Sequence, residues 1–250
     1  MSSRAVAVIG YKNSGKTKTV EAITRELVSR GHKVVTLKHT ADDINLDTPG
    51  KDTSRHREAG STATGILQQN TAAIFLDQQL TLQQAAEKLG PYDFLIIEGF
   101  KTLDTHARII VPREDKDLET LSNGLEIAIV KPNESNYSRE TEQPLFTLNE
   151  IVKLADLVES KAYPLLPGLN CHNCGYDTCR DMGRALMTGE AEITQCVGYR
   201  EDFTLKINDY DVPMNNFTRK ALQNIILGFL KTLKGGEEPK TVRLEFETDD

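Results

Sequence analysis

The chain has 250 residues, of which 38% are hydrophobic and 27% charged, with no tryptophan and a formal net charge of −7. That length holds one large domain, or a medium domain with an appendage, around a core that must be mostly aliphatic. The acidic balance argues against a non-specific nucleic-acid binder, which needs excess lysine and arginine, and no apolar run approaches the length of a membrane span.

An apolar strand is predicted over residues 4–9, followed at once by Gly10-Tyr11-Lys12-Asn13-Ser14-Gly15-Lys16-Thr17 and a helix over 16–30. This is the pattern G-x-x-x-x-G-K-[ST] between a strand and a helix, the context in which it binds phosphate. Gly10, Asn13, Ser14 and Gly15 let consecutive N–H groups face phosphate oxygens. Lys16 would reach the β and γ phosphates, Thr17 would offer its hydroxyl to magnesium, and Lys18 extends the basic start of the helix. Gly31 stops that helix as a C′ residue should.

A second strand, 33–38, ends in Lys38-His39-Thr40, on the edge where ligands of parallel sheets sit. There follows Asp47-Thr48-Pro49-Gly50-Lys51-Asp52-Thr53-Ser54-Arg55-His56-Arg57-Glu58-Ala59-Gly60. In this loop Asp52 is a candidate for a metal or its water shell, and Lys51, Arg55 and Arg57 for phosphates. The competing reading is a solvated loop with a helix cap at Asp52 or Thr53.

Further strands are predicted at 63–68, 72–76, 93–98, 107–111 and 126–130, and a helix at about 148–160. Strands separated by helical patterns imply an α/β fold, a P-loop NTPase with a largely parallel sheet covered on both faces. The strand 93–98 ends at Glu98, followed by Gly99-Phe100-Lys101. Glu98 is placed to bind magnesium through a water or to orient an attacking water, and Lys101 to assist at the phosphates. A strand-end carboxylate facing solvent is the plainer alternative.

Taken in order, GYKNSGKT, LKHT, DTPGKDTSRHREAGS and YDFLIIEGFK resemble the MobB family over about residues 4–160. The last two elements are far more specific than the phosphate loop. The resemblance implies GTP with Mg2+ as ligand, slow hydrolysis at most, and a homodimer. It also implies work beside the molybdopterin guanylyltransferase, or delivery of the molybdenum or tungsten guanine dinucleotide cofactor to a client enzyme, with molybdopterin as a possible second ligand. Ala41 stands where the family often has a second histidine, in K-H-x-H. The N-K-x-D signature of regulatory GTPases is absent, and Ile129-Val130-Lys131-Pro132-Asn133 is a weak candidate substitute.

Beyond residue 162 the character changes: Tyr163-Pro164-Leu165-Leu166-Pro167-Gly168 reads as a linker or docking strand. All four cysteines follow, spaced Cys171-x2-Cys174-x4-Cys179-x16-Cys196, with a helical spacer from about 181 to 188. The chain lacks a signal-peptide pattern at its start and is expected in the cytoplasm, where clustered cysteines are more often metal ligands than disulfides. Structural zinc sites usually repeat the C-x2-C knuckle, whereas a cube with four corner irons tolerates unequal gaps. Zinc and disulfides remain the alternatives. The run Leu166 through Cys179, with Gly189-Glu190 and Cys196, resembles the small [4Fe–4S] module of Rnf-type electron-transport subunits and corrinoid iron–sulfur proteins.

A strand near 203–207, a helix over about 215–233 and a short strand at 242–246 complete the chain. Phe217, Ala221, Leu222, Ile225, Phe229 and Leu233 give the helix an apolar face expected to pack on the cysteine module or the main domain. The expected division is a nucleotide-binding domain at 1–162, a four-cysteine module at 163–200 and a helix with tail at 201–250. The leading functional reading is a GTP-binding accessory protein of molybdopterin dinucleotide assembly. Its rivals are a nucleotide-dependent metallocentre chaperone or redox-sensing protein, and an ATP-dependent ligase or kinase.

Overall fold

A computed structural model describes residues 3–42, 44–131, 141–199, 205–208, 210–212, 214–234 and 242–245. Strand β1 (Arg4–Ile9) leads through the phosphate loop into helix α1 (Lys16–Ser29), and β2 (Val34–Lys38) follows. Helix α2 (Asp52–Glu58), strands β3 (Ala63–Leu67) and β4 (Ala72–Leu76), helix α3 (Leu82–Lys88) and β5 (Phe94–Glu98) come next. Then β6 (Ala107–Ile110), α4 (Asp115–Leu121), β7 (Glu126–Val130), β8 (Leu145–Phe146) and α5 (Ile151–Lys161) complete the nucleotide-binding part. Six strands form one sheet in the order β2-β5-β1-β6-β7-β8, every pairing parallel. The chain leaves β1 for β2 on one side and reaches β6 on the other, so the crevice at the end of β1 is the topological switch point.

Val20, Ile23 and Leu27 of α1 and Leu154, Ala155 and Val158 of α5 bury one face of the sheet, while Leu82 and Ala86 of α3 and Leu121 of α4 bury the other. From Ala5 to Ile9, β1 is almost fully buried, as a near-continuous apolar run in a two-faced parallel sheet must be. Helix α3 is set by the Thr81 side chain accepting from the Gln84 N–H while Gln84 returns the bond to Thr81, a capping box the apolar periodicity did not reveal.

The strands predicted at 63–68 and 72–76 form, but outside the main sheet. Joined by a short turn in which the Gln68 N–H donates to the Thr71 carbonyl, they can only pair antiparallel. The resulting hairpin packs on α2 and leaves Leu67 82% and Ile74 71% exposed.

No break in packing marks the expected boundary at 162. The Ala5 N–H donates to the Tyr163 carbonyl at 2.9 Å, and the Leu166 N–H to the Thr105 carbonyl at 2.8 Å. Helix α6 (Cys179–Thr188) opens on a cysteine, two residues before the predicted spacer, because the Thr178 hydroxyl caps the Asp181 N–H. Met182 and Cys196 belong to the same buried cluster as α1 and α5. Arg180 pairs with Asp104, Arg184 donates to the Asn123 carbonyl at 3.0 Å, and Lys161 to the Met187 carbonyl at 2.7 Å. Gly183 permits this approach: a Cβ there would lie 2.5 Å from the Tyr163 hydroxyl. Every one of the sheet contacts lies just before or at the start of a strand. The cysteine segment therefore covers the N-terminal edge of the sheet, opposite the phosphate loop.

Strands β9 (Lys206–Ile207) and β10 (Tyr210–Asp211) form a small antiparallel pair, of which the predicted strand near 203–207 overlaps only the first; residues 203 and 204 lie outside the described residues. Helix α7 (Asn216–Leu230) forms as the periodicity predicts, capped by the Asn215 side chain on the Thr218 N–H. Its expected packing is corrected: Phe217 is 80% and Ile225 69% exposed, and Phe229 and Leu233 are also exposed, whereas Ala221 and Leu222 are half-buried. Residues 242–245 carry no strand, and residue 246 lies outside the described residues.

Beneath the cysteine segment, β6 and the turn before it bury His106 and Arg108 completely. Arg108 donates to the Leu121 carbonyl at 3.0 Å and the Leu103 carbonyl at 2.5 Å. Burial, with Arg108 nearby and Asp104 opposing, pushes the His106 pKa down to about 3. His106 is thus neutral when folded, and the unfolded chain binds its proton below about pH 6.5. That contribution to stability is complete above pH 6.5 and declines as pH falls towards 3. His106→Gln should flatten the fall of unfolding free energy between pH 6.5 and 4, by up to about 1.4 kcal/mol per pH unit, in denaturant titrations across that range.

Candidate nucleotide site and cysteine centre

The phosphate loop is shaped by its neighbours as much as by its own residues. A Cβ at Gly10 would collide with the Ser14 hydroxyl and lie 2.5 Å from the Val111 carbonyl. Asn13 and Gly15 take left-handed backbone, φ 63° and 95°, which curls the chain so that its N–H groups turn inward. Ser14 is buried with its hydroxyl unpartnered. Gly15 supplies no side-chain cap, so the opening N–H groups of α1 remain available to an anion. Lys16 donates to the Tyr11 carbonyl at 2.5 Å. Its pKa is lowered by burial, an effect that Glu98 opposes and Lys101, Lys38 and Arg113 reinforce.

Glu98 reaches the loop because β5 lies directly beside β1, with Val8 opposite Glu98 in register. The Thr17 hydroxyl is 3.2 Å from both carboxylate oxygens of Glu98, and the Lys38 ammonium is 3.2 Å from one of them. A hydroxyl and a carboxylate at the foot of a phosphate loop are hard oxygen donors suited to magnesium. Gly99 is required here: it has φ 105°, and a Cβ on it would press to 2.9 Å on the His39 carbonyl. His39 and Phe100 stack with ring centroids 4.2 Å apart. Lys101 is carried to 4.6 Å above the Tyr11 ring.

The fold thus gathers Gly10, Asn13, Ser14, Gly15, Lys16, Thr17, Lys38, Glu98 and Lys101 at one crevice. Lys18 follows on the exposed side of α1. Asp52 is not gathered: it opens α2 in solvent and makes no hydrogen bond or ion pair to the loop among the described residues. Its helix serves the β3–β4 hairpin instead, with Arg57 5.5 Å above the Phe75 ring. Lys131 ends β7, while Pro132 and Asn133 lie outside the described residues. Two residues that the sequence did not single out also lie beside the crevice, Tyr11 and Arg113. The rule that ligands sit at strand ends would have pointed to Arg113, three residues past β6.

The four thiols also come together. Cys179 stands at the N-terminus of α6, its N–H donating to the Asn170 side chain at 2.7 Å while its sulfur accepts from the Asn170 N–H at 3.4 Å. Left-handed backbone at Asn170, His172 and Gly175 folds the Cys171–Cys174 loop back over it. Cys196 is buried beneath, its pKa pushed up to about 11, chiefly by burial, with Cys179, Cys174 and Cys171 close enough to raise it further. All four are free thiols. Among the described residues no three Cys, His, Asp or Glu side chains close around a single metal ion. Four free thiols, with three of them near enough to Cys196 to act on its charge, are soft donors of the kind that hold an iron–sulfur cluster.

Comparison with known proteins agrees with both halves. Residues 5–131 match the family model described as molybdopterin guanine dinucleotide synthesis protein B, and residues 166–197 match one described as "Putative Fe-S cluster". A Methanocaldococcus jannaschii protein named "Putative molybdopterin-guanine dinucleotide biosynthesis adapter protein" is 31% identical over 98% of this chain and 97% of its own length. A Haemophilus influenzae molybdopterin-guanine dinucleotide biosynthesis adapter protein is 28% identical over 62% of this chain and 87% of its own. The crystal structure of Bacillus subtilis MobB superposes with a TM-score of 0.55 at 28% identity, covering 64% of this chain and 98% of that one. Among the described residues no helix is long and apolar enough to cross a membrane.

The arrangement around Glu98 generates a separable test. Glu98→Gln keeps the shape and removes the charge that Thr17 and Lys38 share. Single-turnover hydrolysis with magnesium should slow at least about tenfold, with nucleotide affinity changed only a few-fold; an unchanged rate would make Glu98 a bystander.

Proposed function

The chain belongs to the family of molybdopterin guanine dinucleotide synthesis protein B, and on that premise we propose that it is a GTP-binding accessory protein of molybdopterin guanine dinucleotide assembly or delivery, with a [4Fe–4S] centre on its opposite face. The single observation that carries the nucleotide half is the contact of Thr17 and Lys38 with Glu98 across the phosphate loop. It sets a magnesium ligand pair and a cation where the terminal phosphates would lie. Lys16 and the N–H groups of the loop bind and orient the triphosphate, and Thr17 with Glu98 would hold the magnesium. The ion would draw charge from the phosphate oxygens when bound.

Slow hydrolysis in this reading fits a crevice in which Glu98 is the carboxylate that faces Thr17, beside His39, whose ring is stacked on Phe100. The bound nucleotide then acts as a state marker recognised by a partner, the guanylyltransferase or a molybdenum or tungsten enzyme. Cys171, Cys174, Cys179 and Cys196 are the proposed cluster ligands, and the sequence likeness to the Rnf-type and corrinoid iron–sulfur modules supports the cubane form. The cluster lies across the sheet from the phosphate loop, which favours a docking or structural role over direct contact with nucleotide.

The experiment is a titration of anaerobically purified protein with GTP, ATP and molybdopterin, accompanied by iron and acid-labile sulfide analysis. GTP should bind more tightly than ATP, pterin should change GTP affinity, and about four irons per chain should accompany an absorbance band near 400 nm that is lost in Cys171→Ser and Cys174→Ser. ATP preference without a pterin effect would favour an apo-metalloenzyme chaperone, and stoichiometric zinc would replace the cluster.

The hairpin β3–β4 supports the homodimer. Its two strands pair only with each other among the described residues, and Ile66, Leu67 and Ile74 are exposed on it. An apolar hairpin with free edges is a surface that a second copy would cover. Leu67→Glu with Ile74→Glu should convert a dimer into a monomer in light scattering while preserving nucleotide binding; a variant with unchanged mass would place the interface elsewhere.

A further inference from the structure

The connection after β6 runs Val111-Pro112-Arg113 along the rim of the phosphate loop. The Val111 N–H donates to the Ile9 carbonyl at 2.8 Å, and its own carbonyl is one of the atoms that exclude a side chain at Gly10. Arg113 is therefore delivered beside the loop by the same backbone that shapes it. Asp117, in the first turn of α4 with its side chain only 2% exposed, then holds it twice. The Arg113 N–H donates to Asp117 Oδ2 at 2.9 Å, and Arg113 Nε donates to the same oxygen at 3.3 Å.

Both Nη nitrogens of Arg113 are without a hydrogen bond among the described residues, and the guanidinium carbon stands 5.0 Å from the centre of the Tyr11 ring. Tyr11 is itself a loop residue, and its hydroxyl is tied to Thr120 of α4 at 2.9 Å. Lys101, from the other side of the crevice, reaches the same ring. A planar fork fixed by its Nε, with both outer nitrogens unclaimed, is the geometry that grips a phosphate bidentately.

Lys16, Lys38, Lys101 and Arg113 gather four positive charges at the crevice against the two negative charges of Glu98 and Asp117. That excess suits the anionic triphosphate of a magnesium-bound nucleotide.

We infer that Arg113 is a phosphate-binding residue of the nucleotide site, oriented by Asp117 and supported on the Tyr11 ring. It is an arginine supplied by the chain itself, and it adds a contact to the triphosphate that the phosphate-loop motif does not include. Asp117 is a positioning residue and does not touch the ligand.

The inference rests on the nucleotide reading of the loop, and Lys16→Ala separates the two. Binding of fluorescent GTP and GMP analogues would be measured with magnesium for wild type, Lys16→Ala, Arg113→Gln, Arg113→Lys and Asp117→Asn, alongside the melting temperature of each ligand-free protein. Arg113→Gln should weaken GTP at least about tenfold and GMP by much less, with an unchanged melting temperature. Arg113→Lys should recover part of the loss, since charge returns without the fork, and Asp117→Asn should give a smaller loss of the same GTP-selective kind. If Arg113→Gln misfolds, that selectivity in Asp117→Asn and Arg113→Lys decides. Wild-type GTP affinity in Arg113→Gln while Lys16→Ala is weakened would overturn the role of Arg113, as would equal losses for GTP and GMP. Lys16→Ala binding as tightly as wild type would instead remove the nucleotide site itself.

Discussion

Everything in this molecule hangs on one buried strand. β1 lies between β5 and β6, almost fully enclosed from Ala5 to Ile9 and hydrogen-bonded on both sides. A strand so held cannot shift along its axis without breaking two ladders at once. Its C-terminal end therefore delivers the phosphate loop to a fixed place beside Glu98, and its N-terminal end offers the Ala5 N–H to Tyr163. The two candidate sites lie at the two ends of the same rod. Four residue steps separate Ala5 from Ile9, on the order of 13 Å at a strand's rise.

That placement changes what the cysteine centre can be. A cluster at the nucleotide end would act on the phosphates through its charge at short range. Here the thiols stand behind the sheet, over a layer of buried polar groups that includes Arg108, His106 and Tyr163. Among the described residues Arg108 Nε, His106 Nε2 and the Tyr163 hydroxyl make no hydrogen bond, and α6 packs closely over them, with Gly183 against the Tyr163 hydroxyl. Influence between the centre and the nucleotide would travel through β1 and β6, as rigid displacement.

Reading the sequence recovered the parallel α/β architecture because fully buried strands write their apolar runs plainly, as in Phe94–Glu98, and because a phosphate loop between strand and helix has few other uses. The capping box at Thr81 was missed because α3 is seven residues long and buries only Leu82 and Ala86, too few to show a period. The hairpin was seen as two strands but not as a pair of its own, since alternation in five residues does not say which partner they have. The packing expected of the α7 apolar face is missing for a related reason: periodicity shows that a helix has an apolar side, not that anything covers it.

The candidate site divides along the same line. Gly10 through Thr17, Glu98 and the spacing of the four cysteines were legible because local covalent order enforces them: a turn, a strand end, a tight thiol loop. Tyr11 and Arg113 came to lie beside the crevice, and Asp52 was left in solvent, through the order of strands in space, since β5 and β6 flank β1 while α2 leaves with the hairpin. Sequence by itself determined which backbone segments could bind phosphate and metal. Only the tertiary structure decided which side chains from distant segments meet there, and that the two centres lie at opposite edges of the sheet. Parallel strands send all their C-terminal ends to one side, and a chain returning from α5 to Ala5 must arrive on the other.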